Sequence, residues 1–439
     1  MTEPLSPMAA RRVFLTLTAT RWMPVGFIVG ILVLWMLERG LSLPSAMSAM
    51  AVIGFVVLLL ELPTSGFADA LGRRPVLIVA AVANLASMVA LILAHSFTGF
   101  VIVAVLTGVF RALDSGPLEA WYVDAVHHSH PGADVDQDLS LAGTVVGIVM
   151  AIGAVLSGGL IAWHPVTAFS ALWLPVLICL VLSALHVVAV VALLREPVTH
   201  VDSTGWSRAL TSAKEAPSIV ASGLRLLRDN RVLRGLVLLE CFWSTAMIGM
   251  ENLTPVRMAE ILGSEAQAGV IMGPLAAGAW AVFALGARIS GWISARWGVA
   301  RSAIAGRIAH SLLSVGLALA VGPIGLVVAH LLVYTGHGMQ GPTYNALLHR
   351  EASSRNRATV LSMASMCGFG AFSLVMPLAG LLADATSTRV VMAVTGAIGL
   401  GGVWCLLPAL RAERSRSGRG SSARIGERGH LDSSPPSIG

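Results

Sequence analysis

The sequence predicts an all-α membrane protein of twelve transmembrane helices, arranged as two pseudo-symmetric six-helix halves. Three observations carry that reading. Apolar residues make up 56% of the chain and charged residues 12%, about half the charged share usual in soluble domains. Apolar runs near the roughly 20 residues that a span requires recur twelve times. The design also repeats: Gly72 matches Gly298 at an offset of 226, and Gly116-Pro117 matches Gly341-Pro342 at an offset of 225, as a tandem duplication would leave them.

In chain order, residues 1–12 form a terminus and 13–194 the N-terminal half. Residues 195–231 form a linker, 232–410 the C-terminal half and 411–439 a tail. The first half places spans at about 13–37, 45–67, 76–95, 98–122, 139–162 and 169–194. The second places them at about 232–254, 266–293, 301–320, 323–348, 358–383 and 388–410. Most of the 29 Lys and Arg fall on one side of this map, with only Arg39, Arg257 and Arg389 on the other. The positive-inside rule then puts both termini and the linker in the cytoplasm of a multi-pass protein of the cell inner membrane. The +6 balance reflects this bias, so membrane lipids and a small-molecule substrate are the expected partners, with no nucleic acid and a monomeric chain. Cys179, Cys241, Cys367 and Cys405 lie singly within spans as small core residues. No phosphate-binding G-x-x-x-x-G-K or zinc-binding H-E-x-x-H pattern occurs, which argues against an enzyme, and no cofactor is expected beyond a coupling proton.

The stretch Glu61 to Pro75, ELPTSGFADALGRRP, joins the second and third spans. Gly72 suits a tight reversal at positive φ, and Arg73 and Arg74 hold the turn at one membrane face. The second half answers with Gly291, Arg296, Gly298 and Arg301, but Ala295 stands at the position of Asp69 and Val299 at that of Arg73.

This loop resembles the G-x-x-x-D-x-x-G-R-R signature of the major facilitator superfamily, with Ser65 in place of its first glycine. Glu38-Arg39-Gly40-Leu41-Ser42 and RALDSGPLEAWYVD at 111–124 resemble its twelve-span drug:proton antiporter branch. The resemblance implies that Asp124 pairs with Arg73 and that spans 1 and 4 are neighbours around a central cavity. It further implies a cytoplasmic gate of Glu61, Asp69, Gly72, Arg73, Arg74, Asp124, Gly291, Arg296 and Gly298, tying the ends of spans 2 and 4 together.

Charged residues inside spans mark functional positions. Span 1 carries Arg21 with Pro24 a turn later, and span 2 ends with Glu61 and Pro63. Span 4 is the most polar, with Arg111, Asp114, Ser115 and Glu119. At about 100° per residue, Arg111, Asp114 and Ser115 share a face, and Glu119 falls on another unless Pro117 twists the helix. Arg21 and Asp114 each lie about 12 Å from the same face, so they share a depth.

The segment HHSHPGADVDQD, with His127, His128, His130, Asp134, Asp136 and Asp138, reads as a polar loop, with a transition-metal site as the alternative. Span 5 offers Gly143 and Gly147 for close helix contact but lacks the proline of the antiporter glycine motif. In the linker, Leu224, Leu226 and Leu227 with Arg225, Arg228 and Arg231 suggest a short helix on the membrane surface. Span 7 adds Glu240; Arg288 and Arg307 read as interfacial residues flanking loop 8–9. Trp121, Trp243, Phe283 and Tyr344 are candidate pocket walls, and the Ser, Arg and Gly of 411–439 read as a disordered tail.

The leading expectation is a secondary transporter exporting a small amphipathic molecule against protons, with Arg21, Arg111, Asp114, Ser115, Glu119 and Glu240 as the proton and substrate cavity. One acid facing two arginines stays ionised, and takes up a proton when one arginine withdraws. Uptake of a small anionic nutrient is the alternative, since Arg21 and Arg111 would suit an anion. An intramembrane sensor or enzyme is the reading from another class.

Overall fold

The computed structural model describes the backbone of residues 5–64, 66–196, 205–352 and 357–431, and every element among them is helical. Ten helical segments are long and apolar enough to cross a membrane. Pro7–Ile28 and Leu32–Glu38, bent by 44°, together make another. The remaining span is Gly322–Gly338 continued by Gln340–Glu351. Twelve spans result, and we number them in chain order.

Spans 1 to 6 are Pro7–Ile28 with Leu32–Glu38, Leu43–Thr64, Arg73–Leu93, Phe97–Leu113 with Pro117–Ser129, Asp136–Trp163 and Trp173–Leu193. Spans 7 to 12 are Arg231–Met247 continued to Leu262, Glu265–Trp297, Val299–Leu319, Gly322–Gly338 with Gln340–Glu351, Arg357–Ala385, and Thr388–Gly399 with Gly402–Leu431. The last helix therefore runs on through the first part of the segment read as a disordered tail.

Prolines set the breaks. In span 4, Pro117 has no N–H to continue the ladder and restrains the residue before it. The first helix stops at Leu113, Gly116 takes φ 95°, and Pro117 opens the next helix at a position where its missing N–H costs nothing. In span 10, Pro342 lies three residues beyond the interruption at Met339. In span 7, Pro255 follows a π-helical turn, Ile248–Leu253, as expected where a ladder must absorb a missing donor.

The halves meet through spans 2 and 11 and through spans 5 and 8. The contacts are backbone-close where glycines allow it. A methyl group on Gly158 would press on the Val270 carbonyl at 2.8 Å, and one on Gly380 on the Pro44 Cα at 2.8 Å. Apolar packing is distributed unevenly along the membrane normal. On the face away from the linker, one core runs through both halves, from Phe27, Trp35 and Met47 to Leu253, Met272 and Met376. On the linker face there are two separate cores, one around Phe14, Trp121 and Tyr122 and one around Leu236, Leu348 and Leu406. A Cβ on Gly143 or Gly147, in the linker half of span 5, would meet open space, so no helix packs closely on them as their spacing suggested. The chain is thus closed on the far face and parted on the linker face beside spans 5 and 8.

Spans 2 and 11 stay together lower down, where the linker helix covers them. This helix, Gly205–Asp229, is much longer than the short segment expected. It packs on span 2, on the five-residue helix Phe67–Leu71 and on span 11, burying Ala209 and Leu227 while leaving Leu210 and Leu224 exposed.

Candidate functional site

The break in span 4 builds the first charged site. Because the helix ends at Leu113, the 100° count no longer relates Arg111 to the residues beyond it. Asp114 sits at the cap with φ −93° and ψ 0°, only 3% exposed, whereas Ser115 and Glu119 are exposed. The expected common face of Arg111, Asp114 and Ser115 is therefore not formed, because Pro117 and Gly116 redirect the chain. Arg21 of span 1 forms an ion pair through Nε with Asp114 Oδ2. That oxygen has no hydrogen bond of good geometry, so the attraction is ionic. Glu119 lies within electrostatic reach of Asp114 despite its position past the break.

Arg111 is accessible although it lies deep in the span, so it lines open space between the halves. Its guanidinium stands 5.3 Å from the ring centre of Phe369 in span 11, and it is within electrostatic reach of Arg21, Glu61 and Asp114. Glu61, grouped above with the gate, also lies within electrostatic reach of this site. Its Oε2 accepts a hydrogen bond of 2.9 Å from Ser365 Oγ, four residues and one helical turn from Phe369. A carboxylate and an arginine of the first half thus meet one face of span 11. Ser365 and Phe369 carry no charge, and nothing in the sequence singled them out.

The loop after span 2 forms a second constellation. Arg73 donates to Asp124 Oδ2 from Nε at 3.1 Å and from Nη2 at 2.9 Å, the expected partner. Arg73 opens span 3, so the pair joins span 3 to span 4 rather than span 2 to span 4. It lies wholly within one half and coexists with parted linker-side cores. Gly72, at φ 97°, turns the chain into span 3. The first two N–H groups of that helix, Arg73 and Arg74, donate to the carboxylate of Glu196 at 3.2 and 2.9 Å. Arg74 also donates from Nη2 to the Val191 carbonyl at 3.0 Å. The side chain of Asp69 lies outside the described residues, as does Ser65.

The second half repeats the turn and the cap, with Val299 in the place of Arg73. Gly298 has φ 91°, and Val299 and Ala300 donate their N–H groups to Glu413 at 3.0 and 2.7 Å. Arg296 is exposed and lies over the ring of Trp292 on its own helix, 4.1 Å from the centroid. Gly291 makes no close contact.

A third feature escaped the sequence reading. Arg307, read as interfacial, is 3% exposed in the interior of span 9, and its Nε and Nη1 lack partners. It lines a cavity of about 260 Å³ inside the second half, with Glu240, Trp243, Phe283, His337, Gln340 and Tyr344 among the other walls. Three of the four aromatic pocket candidates are thereby placed. The fourth, Trp121, is fully buried and donates to the Arg195 carbonyl at 2.7 Å, a packing role.

His127 and His128 close the second helix of span 4 instead of lying in a loop. Asp138 binds Arg11 at 2.6 Å and accepts from the Tyr122 hydroxyl. Among the described residues no three His, Cys, Asp or Glu side chains gather to hold a metal ion.

A family model described as the Major Facilitator Superfamily matches residues 14–376. The chain belongs to the Major Facilitator Superfamily. Its fold is similar to that of the nucleoside transporter NupG, with a TM-score of 0.69 and 14% identity over 91% of this chain and 98% of that one. It is likewise similar to a POT family transporter in complex with a thioalcohol-conjugated peptide, with a TM-score of 0.65 and 14% identity over 90% and 95%. Another POT family transporter, in complex with 5-aminolevulinic acid, gives 0.63 and 14% over the same shares. None of the curated proteins matches the sequence. As a superfamily member the chain is a secondary transporter and not an enzyme, and it crosses the membrane many times.

Proposed function

We propose that this transporter moves a small amphipathic molecule out of the cell in exchange for protons, by alternating access of two six-helix halves in the plasma membrane with the linker face in the cytoplasm. The observation that carries the coupling is the buried Arg21–Asp114 ion pair at the break of span 4. A buried pair is expensive to leave half-satisfied. Any movement of span 1 against span 4 must therefore supply Asp114 with another cation or with a proton. Arg111 and Glu61 meet span 11 across the boundary between halves, so rocking changes the field at Asp114. The parted linker-side cores support an inward-open state of the cycle. The resemblance of residues 38–42 and 111–124 to the antiporter branch supports export.

Uptake of a small anionic metabolite is a second reading, favoured by the accessible Arg111 in the seam between halves. The test is a panel of tritiated and fluorescent amphipathic compounds in everted vesicles, with a pH-sensitive dye trapped in the lumen. Export predicts compound accumulation accompanied by alkalinisation of the lumen. Accumulation with no proton movement rejects the coupling, and movement of anions alone in the opposite direction supports uptake.

A further inference from the structure

The cavity of the second half has features that the central ion pair does not explain. Two nitrogens of the Arg307 guanidinium are buried without a hydrogen-bond partner, and so are both polar atoms of Gln340, itself 7% exposed. Glu240 is within electrostatic reach of Arg307 but makes no ion pair with it. The Tyr344 hydroxyl stands beside Glu240 and falls short of hydrogen-bond geometry. Trp243 and Phe283 supply aromatic walls, and Leu239 and Leu406 aliphatic ones. Unmatched buried charges and amides are costly, so a site of this kind is incomplete without a ligand that satisfies them.

The duplication makes the same point independently. His337, Gln340 and Tyr344 of span 10 stand at the positions of Arg111, Asp114 and Glu119 of span 4, at the offsets of 226 and 225 that relate the two halves. Both spans are interrupted at this place. In the first half the break presents a carboxylate that an arginine of the same half neutralises; in the second it presents a neutral amide, and the arginine opposite is left unmatched.

We propose that this cavity binds a small zwitterion of the amino-acid type with an apolar or aromatic side chain, its carboxylate held by Arg307 and Gln340 and its ammonium by Glu240. Arg307 and Gln340 are buried, so charge balance among the buried groups decides the occupant. A plain carboxylate leaves Glu240 unmatched, a plain amine leaves Arg307 unmatched, and a zwitterion satisfies both. Arginine and amide together suit the two oxygens of a carboxylate. The apolar walls take the remaining part of the molecule. A volume of about 260 Å³ lies below the range of about 300 to 1,000 Å³ typical of drug-sized pockets, so the occupant is small. The proposal narrows the substrate class of the transporter reading above and rests on it for its physiological meaning.

The experiment is isothermal titration of the full-length detergent-purified protein with three probes: phenylalanine, 3-phenylpropanoate, which lacks the amine, and phenethylamine, which lacks the carboxylate. Phenylalanine is expected to bind at least tenfold tighter than either. Arg307→Gln should weaken phenylalanine by tenfold or more and remove 3-phenylpropanoate binding. Glu240→Gln should weaken phenylalanine while leaving 3-phenylpropanoate equal or tighter, a reversal of preference that general loosening of the fold would not produce. Should Arg307→Gln fail to fold, Glu240→Gln and Gln340→Leu carry the test. Equal affinity for the three probes, no binding of any, or binding unaffected by these substitutions overturns the proposal. The titration uses no proton gradient, so its failure leaves proton-coupled transport standing, and loss of proton flux leaves the titration intact.

Discussion

Glu196 and Glu413 hold the same post in the two halves. Glu196 follows span 6 and Glu413 lies in the second helix of span 12, and each reaches back to accept the first two N–H groups of its half's third span, at Arg73 and Arg74 in one case and Val299 and Ala300 in the other. A helix start leaves its first N–H groups unsatisfied and carries partial positive charge, so a carboxylate there both caps and neutralises it. The preceding glycines, Gly72 and Gly298, hold φ 97° and 91°, and a Cβ at either would crowd the capping carboxylate.

Removing either cap should destabilise its half. Glu196→Ala and Glu413→Ala are each expected to cost about 0.5 to 2 kcal/mol, the usual range for loss of an N-terminal cap. Glutamine should recover part of the loss, because its amide oxygen still accepts. Thermal unfolding in detergent measures this, and an unchanged midpoint for both alanine variants would show that the caps contribute nothing.

The two loop arginines should differ in effect. Arg73 makes two hydrogen bonds to Asp124, whereas Arg296 lies exposed over Trp292. Asp124 is 43% exposed at its side chain, so solvent screens the pair and its contribution to stability is about 0.2 to 1 kcal/mol. Arg73→Gln should therefore slow transport more than Arg296→Gln while leaving folding nearly unchanged. Equal losses of rate would contradict the asymmetry between halves.

The hydrogen bond between Glu61 and Ser365 holds spans 2 and 11 together on the linker side. Ser365→Ala should loosen that seam by about 1 kcal/mol, the net value of a typical hydrogen bond. Faster deuterium exchange in the linker-side ends of both spans would register it. Exchange confined to one of the two spans would argue that the bond does not couple them.

Much of the fold was legible because a bilayer leaves few choices. Apolar runs and internal repetition foretold twelve spans, and the shared depth of Arg21 and Asp114, with the resemblance that makes spans 1 and 4 neighbours, anticipated their ion pair. The failures have particular causes. Helical counting past Asp114 assumed a continuous helix, and Pro117 ended it. Arg307 was read as interfacial because it lies near the predicted start of span 9, but the helix begins at Val299 and places it about 12 Å inside. The partners of Glu61 and of the capped N–H groups lie between 113 and 304 residues away in the chain, with no local pattern to announce them. Glu196 and Glu413 are themselves 217 residues apart, not 225 or 226, so the repeat that exposed the glycines did not expose the caps.

Asp114 as the proton-coupling group is the central claim, and Asp114→Asn tests it most directly. Asparagine keeps the shape and loses the charge that Arg21 faces. In proteoliposomes loaded with any compound that the native chain moves, proton-driven transport and compound-for-compound exchange are measured side by side, with thermal stability as a control. The expected result is loss of proton-driven transport with exchange preserved. Intact proton-driven transport in the variant would contradict the claim, and loss of both activities together with a large fall in stability would reduce the Arg21–Asp114 pair to a structural brace.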